Sequence, residues 1–209
     1  GLKNSALYAV GLLPSVLFFL LYNQLFYLTI SNQGYASQIF ENWKTPFYMG
    51  FLGLLFSPSK GIFIYSPVLI FSAVGTYLSF KNKNENSIFK VFTLIILSHL
   101  LIVGAWKHWY GGWSFGYRMA SDVIPYMVLL LIPYVNSKLF EKTKVLFLVL
   151  FGISVAVEIM GLIFFDGIWH GVYDKGFKDQ AWLWSITNSE IAFYIRRMLF
   201  KVGLVQKVI

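Results

Sequence analysis

Val145 to Phe165 reads VLFLVLFGISVAVEIMGLIFF, an apolar run interrupted by a single ionisable residue, Glu158. A helix needs about 20 consecutive apolar residues to cross a hydrocarbon layer roughly 30 Å thick. This run meets that requirement, and it fixes the solvent in which the rest of the chain is read. Four more apolar runs lie outward from it: Ala6 to Leu28, Ile62 to Phe80, the slightly short Val91 to Trp106, and Met119 to Val135, which contains Asp122, Pro125 and Pro133. Between the first two, Phe47 to Phe56, FYMGFLGLLF, is too short to span and predicts a re-entrant or interfacial segment. The expected fold class is all-α integral membrane: about five transmembrane helices, this one short segment, and an amphipathic C-terminal tail.

Composition agrees. The chain has 209 residues, of which 57% are hydrophobic, 20% aromatic and only 12% charged, and its mean hydropathy is +0.65. Soluble domains carry about 25% charged residues, so an ordinary globular domain and a disordered chain are both excluded. The balance of 17 Lys+Arg against 9 Asp+Glu gives +8. In a membrane protein that excess points to topology and anionic headgroups rather than to nucleic acid. With no cysteine there is no disulfide, thiolate metal site or cysteine nucleophile.

If all five runs cross, one side of the membrane holds Lys3, Lys81, Lys83, Lys90, Lys138, Lys142 and Lys144, and the other holds Lys44, Lys60, Lys107 and Arg118. The positive-inside rule places the lysine-rich side in the cytoplasm and two aromatic loops, Thr29 to Gly61 and Lys107 to Arg118, on the outer face. Counting the basic residues after Phe165 would reverse that balance, so the short loops carry the assignment. No repeat, linker or low-complexity segment divides the chain. It reads as a transmembrane domain over 1–165 followed by an interfacial tail over 166–209. In the tail, Trp169, Trp182 and Trp184 suit the headgroup zone, and Ser189 with Glu190 opens a helix. Ile191, Ile195, Met198, Val202 and Val205 recur along it at three- and four-residue spacing, with Arg196, Arg197 and Lys201 between them.

Phosphate-loop, dinucleotide-fold, zinc-protease and nucleophile-elbow motifs are missing, as is an Asp-x-Asp pair, so neither a cofactor nor a metal is expected. The most informative stretch is Trp106 to Asp122, WKHWYGGWSFGYRMASD. Gly111, Gly112 and Gly116 allow sharp turns that free backbone N–H groups for an anion, and Arg118 supplies a forked cation. Asp122, four residues on, is expected to steady that fork on one helix face. Two readings fit: a phosphate site at the membrane surface, or an aromatic belt with a structural Arg/Asp pair. In Phe56 to Pro67, FSPSKGIFIYSP, Lys60 either grips a lipid phosphate beside Arg118 or snorkels from a helix end. Glu158 is either a functional intramembrane carboxylate or structural glue with His99 or a first-helix amide, Asn23 or Gln24. His108 is a candidate acid, base or hydroxyl partner, and His170 a weaker one.

GLLFSPSKGIFIYSPVLIF and, later, WKHWYGGWSFGYRMASDVIPYMVLLL resemble the later transmembrane part of GT-C glycosyltransferases, relatives of the protein O-mannosyltransferases and of aminoarabinose and arabinofuranosyl transferases. The resemblance covers roughly Pro14 to Pro133, and its core is Trp109, Gly111, Gly112, Trp113, Ser114, Gly116, Arg118, Asp122 and Pro125. It implies a multi-pass enzyme of a bacterial inner or plasma membrane that moves a sugar from a polyprenyl-phosphate carrier to a lipid, glycan or protein acceptor on the extracytoplasmic face. The same resemblance assigns donor binding to Arg118 first and Lys60 second, with Asp122, His108, Ser114 and Tyr65 nearby and the Trp109 and Trp113 faces stacking on sugar or isoprenoid. Such enzymes carry an acidic motif in the first outer loop. Here that loop offers only Glu41, outside any such motif, and the chain opens on Gly1. The expectation is therefore a C-terminal portion whose catalytic base lies upstream, inactive alone. A transporter or flippase subunit using Glu158 and His99, and a non-catalytic scaffold, are the rival readings.

Overall fold

The computed structural model describes residues 2–28, 42–82, 87–174 and 180–204. Glu41, Lys83 and Val205 lie outside the described residues. The chain divides into two compact units, Gly1–Trp43 and Lys44–Ile209.

The first unit holds one long helix, α1 (Leu2–Tyr27), apolar around its whole circumference. Such a helix has no polar face to turn to water and suits lipid. Pro14 sits within it.

The second unit is helical throughout, with no strand among the described residues. Its elements are α2 (Phe47–Phe56), α3 (Ile62–Tyr65), α4 (Ile70–Lys81), α5 (Ile88–Ala105), α6 (Ile124–Leu129), α7 (Leu131–Val135), α8 (Lys138–Phe164), α9 (Ile168–Tyr173) and α10 (Glu190–Lys201). Among the described residues, four stretches are long and apolar enough to cross a membrane: Leu7–Tyr27, Ile88–Ala105, Arg118–Val135 and Lys138–Phe164. The all-α membrane class therefore holds.

The expected span from Ile62 to Phe80 is broken. Proline disfavours helical backbone in the residue before it, and Ser66, before Pro67, sits at φ −128° and ψ 67°. The helical stretch from Pro67 to Lys81 is then about 22 Å long, short of a bilayer core. The Arg118–Val135 stretch is also segmented, into a 3-10 turn (Arg118–Val123), α6 and α7. Pro133 has no N–H to offer the Leu129 carbonyl, and the helix breaks at Leu130.

Small residues set the packing, as expected where lipid removes the hydrophobic drive between helices. A Cβ on Gly50 would lie 1.9 Å from the Gly104 carbonyl oxygen, and one on Gly75 would lie 1.7 Å from that of Leu130. Backbone thus meets backbone at α2 against α5 and at α4 against α7. Helix α10 starts where the sequence indicates, the Ser189 hydroxyl accepting from the Ala192 N–H at 3.3 Å. Its inward face differs from the Ile191–Ile195–Met198 row that the sequence assigns to an interfacial surface. Glu190, Phe193 and Tyr194 are buried, while Ile195 and Val202 stay exposed.

Candidate functional site

Three parts of the second unit meet around one ammonium group: the turn from Ser57 to Gly61, the loop from Trp106 to Tyr117, and the described residues 166–174 and 180–190. The turn is closed by Gly61 N–H donating to the Ser57 carbonyl at 2.8 Å, and it is tied down by the Ser57 hydroxyl donating to the Leu183 carbonyl at 2.7 Å. It delivers Lys60 inward with no solvent exposure. Lys60 Nζ donates to Glu190 Oε2 at 3.1 Å, to His170 Nε2 at 3.2 Å and to the Ser114 carbonyl. An ammonium has three donors, and all three are engaged. The Trp169 ring covers it, centroid 5.3 Å away.

Glu190 is equally buried. Its Oε2 also accepts from the Tyr65 hydroxyl at 2.8 Å and from the Gly116 N–H at 3.0 Å. Gly116 presents that N–H from φ +64°, and a Cβ there would lie 2.9 Å from the Tyr65 ring, so only glycine fits both demands. Oε1 stands 3.9 Å from His170 Nδ1, too far for a hydrogen bond. Burial pushes the Lys60 pKa down and that of Glu190 up, and the attraction between them opposes both shifts. His170 is held down to about 3 by burial and then by the Lys60 charge, so its neutral ring accepts at Nε2. The Trp113 indole stacks on His170, centroids 5.9 Å apart and planes 25° apart, while remaining 64% exposed.

These positions sort the expected residues. Lys60, expected at the surface beside Arg118, lies inside with no donor left for a phosphate. Tyr65 belongs to the same buried cluster. Arg118 is exposed, and its guanidinium has no ion pair or hydrogen bond among the described residues. Asp122 is exposed too and does not hold the Arg118 fork. The reason is the 3-10 turn: at three residues per turn, positions four apart point about 120° apart, whereas an α-helix would bring them to one face.

Trp109 is fully buried. Its Nε1 donates to Gln180 at 3.0 Å and Gly53 packs on its ring, so its face is closed to a ligand, and Trp113 is the open indole. Gly111 and Gly112 take φ +82° and +65°, as the sharp turns require. Ser114 contributes its carbonyl to Lys60 and its hydroxyl to the Gly111 carbonyl. The pKa of His108 is lowered by burial and then by Lys107. His99 Nε2 bonds the Met119 carbonyl at 2.9 Å rather than Glu158. Glu158 instead accepts from the Tyr117 hydroxyl at 3.0 Å and the Ser66 hydroxyl at 3.5 Å.

Among the described residues no group of three ligating side chains could hold a metal ion. Glu190 and His170 as partners of Lys60 escape sequence reasoning. The start of α10 at Ser189 is legible, but nothing local in the sequence links it to a turn 130 positions earlier. Compared with protein-family models, with curated proteins and with solved structures, the chain matches none.

Proposed function

We propose that this chain is the later transmembrane part of a GT-C membrane glycosyltransferase, moving a sugar from a polyprenyl-phosphate carrier to an acceptor on the extracytoplasmic face. The single observation that supports this most is Arg118: an exposed guanidinium with no partner among the described residues, one residue beyond the tyrosine that follows Gly116, next to a loop whose backbone Glu190 and Lys60 hold. In such a transfer the bond between anomeric carbon and phosphate oxygen breaks, with the electron pair staying on the phosphate. The acceptor oxygen bonds the anomeric carbon and gives up its proton to a base, which we assign to an acidic loop of a longer chain. A fixed cation at the leaving phosphate is worth most as that charge develops. The exposed Trp113 indole offers a flat face to sugar or isoprenoid.

The test is transfer from a radiolabelled polyprenyl-phosphate sugar in membranes that carry the complete reading frame. Losing one preorganised charge stabiliser costs about 100-fold or more in turnover, so Arg118→Ala is expected to fall by that order with an unchanged amount of folded protein, and Arg118→Lys by less. Wild-type turnover in Arg118→Ala would overturn the assignment.

A further inference from the structure

Glu158 lies on α8, a candidate membrane span, six residues before its end at Phe164, or about 9 Å along the axis. Its side chain is exposed. Oε1 carries both of its hydrogen bonds, from Tyr117 and Ser66, while Oε2 has no donor among the described residues, and no Lys, Arg or His forms an ion pair with it. The Tyr117 phenol is pushed up to about 12 by burial and by Glu158, so it stays a donor at any physiological pH. One carboxylate oxygen is thus fixed by neutral donors and the other is left open.

Glu158 is one of the residues lining a cleft of about 300 Å³ between α8, the Pro67–Leu69 turn and α6. Its other walls are mostly apolar, among them Val68, Leu69, Val128, Val155 and Ile159. Ser154 also lines the cleft, and its hydroxyl is already engaged, donating to the Leu150 carbonyl at 2.8 Å and accepting from the Val68 N–H at 3.2 Å. The cleft therefore combines one charged group with a mostly apolar lining, a combination that matches an amphiphile rather than a water-soluble ion. An intramembrane carboxylate with no cation of its own calls for one from outside.

We propose that this cleft binds a membrane lipid with a protonated amine headgroup, the ammonium on Glu158 Oε2 and the acyl chain along Val68, Val128 and Val155. The geometry alone carries this assignment, which does not depend on the transferase reading. Charge-assisted hydrogen bonds are the strong ones, and a tenfold preference is the scale one of them sets.

The experiment uses the purified full chain in lipid nanodiscs and a lipid-soluble carbodiimide, which modifies carboxyl groups reached from the hydrocarbon phase, with Glu158 modification followed by peptide mass spectrometry. Phosphatidylethanolamine is expected to slow modification about ten-fold relative to phosphatidylglycerol at equal mole fraction. In detergent, Glu158→Gln is expected to lose the preferential retention of phosphatidylethanolamine that the wild type shows. Equal modification in the two lipids, no modification of Glu158 in either, or equal retention by Glu158→Gln would overturn the proposal. Equal protection by glycerophosphoethanolamine, which has the amine and no chains, would overturn the assignment to a lipid. Because the labelling is done on the wild type, a folding defect in the variant leaves the answer intact.

Discussion

Lys60 and Glu190, 130 positions apart in sequence, meet at 3.1 Å with neither side chain reached by solvent. Each group would be costly to bury alone, and together with Tyr65, Gly116, Ser114 and His170 they satisfy most of each other's hydrogen-bonding needs. The pair joins the turn before α3, the glycine-rich loop and the first residue of α10 at one point.

Breaking the pair from one side strands the other charge. Lys60→Met and Glu190→Leu are each expected to lower stability by about 3–5 kcal/mol, and the double variant carrying both to recover much of that loss. Thermal unfolding of the single and double variants in one detergent measures the coupling. Additive losses would mean that the two groups do not stabilise each other.

Acid should weaken the fold through His170. Its folded pKa, about 3, lies below the ordinary 6.5, so between those values the unfolded chain binds a proton that the folded chain does not. Stability from this group is complete above pH 6.5 and falls as pH drops towards 3, by roughly 1.5 kcal/mol between pH 6.5 and pH 5. Glu190, whose pKa is raised, titrates with the opposite slope, so the useful quantity is the difference between wild type and His170→Asn across pH. A flat difference would show that His170 titrates normally.

Two glycines with nearly the same backbone angle should respond differently to alanine. Gly116 and Gly112 sit at φ +64° and +65°, but a Cβ on Gly116 meets the Tyr65 ring at 2.9 Å while one on Gly112 meets nothing within 4 Å. Gly112→Ala is expected to cost only the strain of the left-handed region, about 1–2 kcal/mol. Gly116→Ala adds the collision and displaces the N–H that Glu190 accepts, so its melting temperature should fall clearly further. Equal shifts would count against the packing of Tyr65 on Gly116.

Trp113 shields His170 without being buried itself. In Trp113→Ala the imidazole becomes accessible, and acylation of His170 by diethylpyrocarbonate should rise from near zero to that of an open histidine, with little change in melting temperature. Unchanged reactivity would show that other groups close the site.

The membrane class, the start of α10 and the unusual turns at Gly111 and Gly112 were legible because each depends on local sequence: apolar run length, a capping serine, residues free to take positive φ. Errors arose where geometry depends on a partner or on helix type. Ser66–Pro67 interrupts a stretch whose hydropathy alone looks continuous. The four-residue spacing of Arg118 and Asp122 implies a shared face only in an α-helix, and the chain forms a 3-10 turn there. Lys60 between a Ser-Pro turn and Gly61 has the local pattern of a surface lysine. Its burial is explained by distant partners, Glu190 with His170 and the Ser114 carbonyl.

The separation of Lys60 from Glu190 also imposes an order on synthesis. A ribosome adding roughly 5–20 residues per second makes the stretch between them in about 7 to 26 s. For that interval the lysine has been made and its carboxylate has not, so the turn at Ser57 to Gly61 lacks its ionic partner while the intervening helices are synthesised. A later helix thus locks a turn made well before it, and ribosome pausing ahead of Ser189 would prolong the unlocked state without altering any contact of the finished protein.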